Sequence, residues 1–417
     1  MDDFSELSKE LTKLLSKEEK KKDGIFFTPP ITIKELANST IEYFKKLNPN
    51  FSTNQRLNIL EPSCGSCEII NYLTSLKSKV KSNITGIEYN KKIFQEIEKT
   101  YKKGDRVNLF NADYLKKEDL AKQDIIIGNP PYYVMKKKDI DSKYYKYMEG
   151  RPNIFCLFII KSLELLNTNS IMSFILPASF LNCLYYNNLR RYIYNNFQIL
   201  EIKHNDDTYL DTQQPTISFI LAKLADADKP GINNEEYVIK FKNNEIITFN
   251  SKKNISKLKL LKRNSKSLTD YNFKASIGSV VWNQVKKDLT DNTEKTKLIY
   301  SSNIKNGELI NFDFKNNEKK QYINRNGLTE TGFVLNRGYG KGSYSFNYAI
   351  IDVDYPYLIE NHLIFIRYEG ESDKLEMYRK LSESFKKKET LQFVELFFTN
   401  NAININELNN ILPIWLE

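Results

Sequence analysis

Three isoleucines closed off by a glycine, an amide and two prolines set the tightest limit on what this chain can fold into. The stretch reads Asp124-Ile125-Ile126-Ile127-Gly128-Asn129-Pro130-Pro131-Tyr132-Tyr133. A short β-branched run of this kind predicts a strand buried on both faces, as in a parallel sheet. Gly128 ends it, and consecutive prolines allow neither a continuing ladder nor an immediate helix. The remainder is a stiff loop at the carboxyl end of a central strand, where open α/β sheets bind their ligands.

The loop carries an amide and an aromatic ring close together. The side-chain oxygen of Asn129 and the carbonyl of Pro130 can each accept a hydrogen bond from one NH2 group. Two acceptors on one amine draw its nitrogen out of conjugation and aim its lone pair. Tyr132 can stack on the ring that bears the amine, so the ring rather than the hydroxyl is expected to matter. The plain structural alternative is a Pro-Pro turn with a surface tyrosine.

The preceding chain supplies a βα series. Residues 4–15 place Phe4, Leu7, Leu11, Leu14 and Leu15 at helical spacing, which predicts a docking helix or an arm. Gly24-Ile25-Phe26-Phe27-Thr28-Pro29-Pro30 then leads into a second helical pattern, and the Thr28 hydroxyl can hold a carboxylate there. Leu57 to Leu60 reads as a strand running into Glu61-Pro62-Ser63-Cys64-Gly65-Ser66-Cys67 and a helix, the first half of a βαβ unit. No Gly-x-Gly-x-x-Gly follows that strand, which argues against a dinucleotide. Ile84 to Tyr89 gives a second strand ending in Glu88, where a ribose diol would be gripped. A third strand, Val107 to Phe110, closes on Asn111-Ala112-Asp113-Tyr114, with a carboxylate able to accept from an adenine amine. Further strands are predicted at Ser170 to Leu176, Ile199 to Ile202 and Thr216 to Ala222, with an apolar helix over Asn153 to Leu166.

Composition narrows the class. A chain of 417 residues suggests two domains, and a formal charge of +10 suits a polyanionic partner. No apolar run is long enough to cross a bilayer, and no signal-peptide core follows Asp2-Asp3. Four cysteines in so long a chain are no disulfide scaffold, so a reducing, cytoplasmic setting is expected. Cys64-x-x-Cys67 lacks a second cysteine pair, and the only histidines are His204 and His362, so no metal site is expected. Past Ala225 the βα regularity is lost. Residues 251–266 are strongly basic, and Asn336-Arg337-Gly338-Tyr339-Gly340-Lys341-Gly342-Ser343-Tyr344 is a glycine loop with cations and aromatics. In a nucleic-acid binder, Arg337, Tyr339 and Lys341 would contact phosphates and base edges; otherwise the loop is a hairpin turn.

Five motifs in order carry a resemblance: Phe27-Thr28-Pro29-Pro30, Glu61-Pro62-Ser63-Cys64-Gly65-Ser66, Gly86-Ile87-Glu88, Ala112-Asp113-Tyr114 and Asn129-Pro130-Pro131-Tyr132. Together they resemble the S-adenosylmethionine-dependent DNA methyltransferases of restriction–modification systems that modify adenine N6, in the group with cofactor motifs first and target recognition last. The resemblance implies a Rossmann-like α/β domain with a mostly parallel seven-stranded sheet, followed by a mixed α+β DNA-recognition domain. The implied boundaries are an N-terminal helical arm over 1–23, a catalytic domain over 24–225, a linker over 226–236 and a target-recognition domain over 237–417.

By the same resemblance, Thr28, Glu61, Pro62, Cys64 and Gly65 would face the methionine part of S-adenosylmethionine. Glu88 and Tyr89 would face its ribose, and Asp113 and Tyr114 its adenine, with Phe155 as an apolar contact. Asn129, Pro130 and Tyr132 would hold the target base, with Tyr209 as a second stacking ring. Cys67 replaces the family's last turn glycine, a side chain that would narrow the cofactor's approach. The implied partners are double-stranded DNA and, where the system has one, a cognate restriction endonuclease. Direct transfer from a sulfonium needs alignment above all, and a base inside a duplex must first be turned out. The same tetrapeptide also serves N4-cytosine, RNA-adenine and protein-glutamine methyltransferases. A non-catalytic DNA-binding subunit would keep the same fold.

Overall fold

The computed structural model describes residues 4–52, 55–76, 81–101, 106–150, 152–205, 214–241, 246–305, 307–314, 318–338, 344–398 and 402–416. The chain forms two compact units, Met1–Lys240 with Ile246–Ile255, and Phe241–Glu245 with Ser256–Glu417.

The first unit is built on seven strands: β1 (Arg56–Glu61), β2 (Lys81–Glu88), β3 (Val107–Asn111), β4 (Gln123–Gly128), β5 (Leu166–Pro177), β6 (Gln198–Asn205) and β7 (Thr216–Lys223). Their order is β3-β2-β1-β4-β5-β7-β6. All neighbours from β3 to β5 run parallel, and β7 pairs antiparallel with both β5 and β6. The expected mostly parallel seven-stranded sheet is therefore present. Ile125, Ile126 and Ile127 are almost wholly buried, since helices cover both faces of the central strand. One layer contributes Ile33, Leu36 and Ala37 from α3 (Pro30–Leu47), with Ile69 and Ile70 from α4 (Glu68–Ser75). The other contributes Phe155, Ile159 and Leu163 from α6 (Ile154–Leu165) and Leu189 from α7 (Asn187–Asn196). Helix α5 (Lys91–Thr100) follows β2.

The first residues belong to this unit. Helix α1 (Glu6–Leu14) buries Leu11 and Ser8, and the Ser8 hydroxyl reaches Ser66 Oγ at 2.8 Å and Glu68 Oε1 at 2.7 Å. Helix α2 (Lys17–Asp23) starts at a Ser16–Glu19 capping box and ends at Gly24 in the left-handed region. Residues 226–236, expected as a linker, pack within the first unit instead. Asn234 is buried there because its side chain accepts from Ile199 N at 2.7 Å and donates to Phe197 O at 2.8 Å. The polar composition that reads as a linker is used to satisfy backbone groups. The loop after β4 is similarly less open than its lysines suggest, since Ile140 and Tyr144 are buried in the core.

Strands β8 (Val238–Phe241) and β9 (Ile246–Phe249) pair with each other, and helix α8 (Lys252–Leu261) follows. The first part of the basic run over 251–266 forms this helix, with Ile255 and Leu258 buried.

The second unit contains two four-stranded sheets. One has the order Phe273–Ile277, Leu363–Tyr368, Gly332–Asn336, Tyr348–Ile351, all antiparallel. The other is mixed, and helices Lys374–Lys386, Lys388–Phe397 and Ile405–Asn410 complete the unit. This is the α+β architecture expected. Among the described residues, no helix is long and apolar enough to cross a membrane.

Candidate active site

A parallel sheet puts all its strand-to-helix turns on one edge, so the residues after β1, β2, β3 and β4 converge although 68 positions separate Glu61 from Asn129. A cavity with about 960 Å³ of empty space, its open mouth included, lies at this edge, within the usual size of a small-molecule site. Its walls include Gly24, Pro62, Gly65, Glu88, Tyr89, Asp113, Tyr114 and Asn129. A smaller cavity shares Phe26, Phe27, Ser63, Gly65 and Asn129 with it and adds Thr28, Glu61 and Cys64.

The turn after β1 is tied to the tip of β2. Gly65 takes a positive φ of 49° and its N–H donates to Glu88 Oε2 at 2.9 Å. The other carboxylate oxygen accepts from Asn90 N at 2.7 Å, and the Asn90 side chain caps α5. Burial pushes the Glu88 carboxyl up to about 7, against the pull of these two N–H groups. Tyr89 is largely exposed at the lip. Cys64 is buried, its N–H donates to Ile87 O at 2.9 Å, and its thiol is raised by the hydrogen bond with Cys67 and by burial. Cys67 adopts φ 61°, the left-handed conformation a glycine would favour, and is fully buried. Its side chain lines neither cavity, so it does not narrow the approach in the expected way.

Glu61 is buried at the end of β1 and its Oε2 has no hydrogen-bond partner among the described residues. Burial raises its carboxyl well above the usual range, with Cys67 and Glu88 nearby adding to the effect. An orphaned acid in a small cavity of mixed lining fits an ammonium group. Glu88 on the wall offers acceptor oxygens for a diol. Asp113 is partly exposed, with Oδ1 accepting from Leu115 N at 3.0 Å. The three acids follow one another along the edge, after β1, β2 and β3.

The corner after β4 is more closely determined. Asn129 Nδ2 donates to Thr28 Oγ1 at 3.0 Å and to Phe26 O at 3.3 Å. A carbonyl can only accept, so this pair fixes which end of the amide is nitrogen. Asn129 Oδ1 accepts from Tyr132 OH at 2.6 Å, and the same hydroxyl lies 2.8 Å from Ile175 O. One hydroxyl proton thus has two alternative acceptors. Ser63 Oγ donates to Asn129 O at 3.1 Å. Pro130 is buried, and Tyr132 meets Phe155 edge-on with centroids 6.2 Å apart. The Gly24 backbone presses on this corner, for a Cβ built there would stand 2.8 Å from Tyr132 N.

Thr28 therefore borders the smaller cavity and orients the Asn129 amide. Phe155 is fully buried behind Tyr132 and does not line the cavity; Ile154 and Phe158 from the same helix do. Helical spacing places Phe155 and Phe158 on one face without saying which reaches the opening. Tyr209, Tyr339 and Lys341 lie outside the described residues. Arg337 is half-buried, and its Nη1 donates to Asn361 O at 3.3 Å. Sequence reasoning missed Asn90, Leu115, Ile93 and the Gly24–Phe27 strap as walls. The signal for the strap was the Phe27-Thr28-Pro29-Pro30 motif that continues it.

Comparison with known proteins gives likenesses over the first half and over the whole chain. The model of the Eco57I restriction-modification methylase family matches residues 6–209. The chain is 27% identical over 420 residues to the modification methylase CviBIII of Paramecium bursaria Chlorella virus NC1A, covering 99% of each. It is 26% identical over 407 residues to the type II methyltransferase M.CvrRI of Paramecium bursaria Chlorella virus XZ-6E, covering 96% of each. A solved type I restriction-modification methyltransferase subunit from Streptococcus thermophilus aligns with a TM-score of 0.38 and 15% identity, over 55% of this chain and 57% of that one. In sequence the chain is thus similar to type II restriction–modification methyltransferases.

Proposed function

We propose that the chain methylates the N6 amine of an adenine turned out of double-stranded DNA. The carrying observation is the fixed Asn129 amide. With both amide hydrogens directed at Phe26 O and Thr28 Oγ1, the oxygen stays committed to accepting. S-adenosylmethionine supplies a methyl group already activated on a sulfonium. In this reading Asn129 Oδ1 and Pro130 O accept from the target amine and turn its lone pair out of conjugation. When the amine arrives, the Tyr132 hydroxyl keeps its proton and donates its hydrogen bond to Ile175 O alone, which leaves Asn129 Oδ1 to the substrate. Tyr132, and Tyr209 as the second ring, offset part of the few kcal/mol lost on unstacking the base.

Glu61 would hold the cofactor's ammonium group, Glu88 its ribose and Asp113 its adenine amine. Alignment of two bound partners is then the main source of rate. The second unit would read the DNA, with Arg337, Tyr339 and Lys341 as contacts and the +10 charge as long-range attraction. Expressing the chain in a methylation-free host, then digesting and sequencing its DNA, tests this. N6-methyladenine in one sequence context is expected; N4-methylcytosine, or unmodified DNA, overturns it.

A further inference from the structure

Helix α6 carries one cation in an otherwise apolar run, Ile154-Phe155-Cys156-Leu157-Phe158-Ile159-Ile160-Lys161-Ser162-Leu163. Lys161 is 9% exposed, and a buried ammonium needs partners for all of its N–H groups. It finds three backbone carbonyls, all in the turn that follows β3. Nζ donates to Tyr114 O at 2.6 Å, Leu115 O at 3.1 Å and Lys117 O at 2.7 Å. The same ammonium lies 5.0 Å from the centroid of the Tyr114 ring. The next residue, Ser162, is fully buried and sits 2.9 Å from the Tyr114 hydroxyl.

Two consecutive side chains of one helix therefore fix both the backbone and the ring of the turn that presents Asp113, Tyr114 and Leu115 to the cavity. A surface turn is ordinarily held by its own Asx and main-chain bonds. This one has those, through Asp113 Oδ1 and Leu115 N, and is anchored from beneath as well. Burying a lysine for this is costly unless a precise backbone course is required. A hydrophobic residue at 161 would pack α6 equally well and leave three carbonyls unpaired.

We propose that Lys161 and Ser162 are positioning residues for the base end of the cofactor site, setting Asp113 where it can accept from the cofactor's adenine amine. The proposal rests on the functional reading above. Calorimetric titration of the full chain with S-adenosylhomocysteine, and with its hypoxanthine counterpart S-inosylhomocysteine, separates the two. Wild-type chain is expected to bind the adenine form and discriminate against the hypoxanthine form, which offers an oxygen to Asp113. In Lys161→Met, affinity for the adenine form should fall about tenfold and discrimination should shrink by a similar factor, as for one misplaced hydrogen bond. Ser162→Ala should show the same trend more weakly, and it keeps the idea testable if the lysine variant fails to fold. Turnover at saturating S-adenosylmethionine should change little in either.

Unchanged affinity in both variants, or an equal loss for both ligands, overturns the positioning role. Wild-type chain that binds neither ligand overturns the cofactor-site reading itself, and this inference with it.

Discussion

The two units contain similar kinds of residues and arrange them by different rules. In the first, every expected site residue among those described lies at one edge of one sheet except Phe155, which is one layer behind. In the second, the described candidate, Arg337, extends from the end of an antiparallel strand and uses a guanidinium hydrogen on the neighbouring Asn361 carbonyl. Parallel topology forces functional turns together because every crossover returns the chain to the same edge. Antiparallel strands place turns at both ends, so sequence position says little about convergence. The candidate groups of the first unit are thus gathered at one edge, and the proposed function predicts a role concentrated in few residues there and spread over many in the second.

The largest test of that contrast is Asn129→Ala. Loss of the fixed acceptor should lower methyl transfer by at least about a hundred- to a thousandfold, the range for removing one preorganised group. Binding of S-adenosylhomocysteine should remain, and near-normal turnover would break the comparison outright. Tyr132→Ala should follow closely through loss of the stacking ring. Tyr132→Phe should fall by about tenfold, the equivalent of one lost hydrogen bond. The sequence alone suggested that the hydroxyl is idle; the structure ties it to Asn129 Oδ1 and Ile175 O. Equal rates in Tyr132→Phe and wild type would restore the earlier view.

Glu88 offers a pH test of intermediate size. Its folded carboxyl titrates at about 7 against an ordinary 4.5, so the native chain keeps a proton that the unfolded chain gives up between these values. That group's contribution to stability therefore falls as pH rises through this window. Its ability to accept from a ribose diol rises over the same window, so S-adenosylhomocysteine should bind more tightly above pH 7 than below it. Glu88→Gln should flatten both trends, which thermal unfolding and calorimetry can follow separately. A steep pH dependence of affinity surviving in that variant would assign the diol to another group.

Arg337→Ala probes the second unit. A few-fold rise in the KM for DNA is expected, with the salt slope of binding reduced by about one and kcat unchanged. Loss as large as in Asn129→Ala would show function to be as concentrated there as in the first unit. Cys67→Gly should have the smallest effect. Relief of the left-handed strain, about 1 kcal/mol, offsets the packing lost from a small buried thiol. A chemical denaturation midpoint close to wild type is expected.

Much of the first unit was legible because its signals are local. An isoleucine run between polar neighbours, a glycine and two prolines specify a buried strand and an abrupt stop without reference to anything distant. The strand tips at Glu61, Glu88, Asp113 and Asn129 were readable for the same reason. The boundary near 226–236 was misread because polar residues look alike whether they are solvated or, like Asn234, bonded to buried backbone. Lys161 was passed over within an apolar helix, since no pattern announces which carbonyls a lysine will meet.

The sequence by itself determined the succession of strands along the chain, the character of the turns after the first four and the identity of the groups that those turns would offer. The tertiary structure alone decided how those groups face one another. Only a folded chain brings Phe26 and Thr28 to the Asn129 amide, Gly65 to Glu88 and Lys161 to the carbonyls beyond Asp113. Hydrogen bonds are directional over about 3 Å, and their partners here are separated by as many as 103 residues. Local periodicity cannot encode such distances; packing of the whole sheet between its helices does.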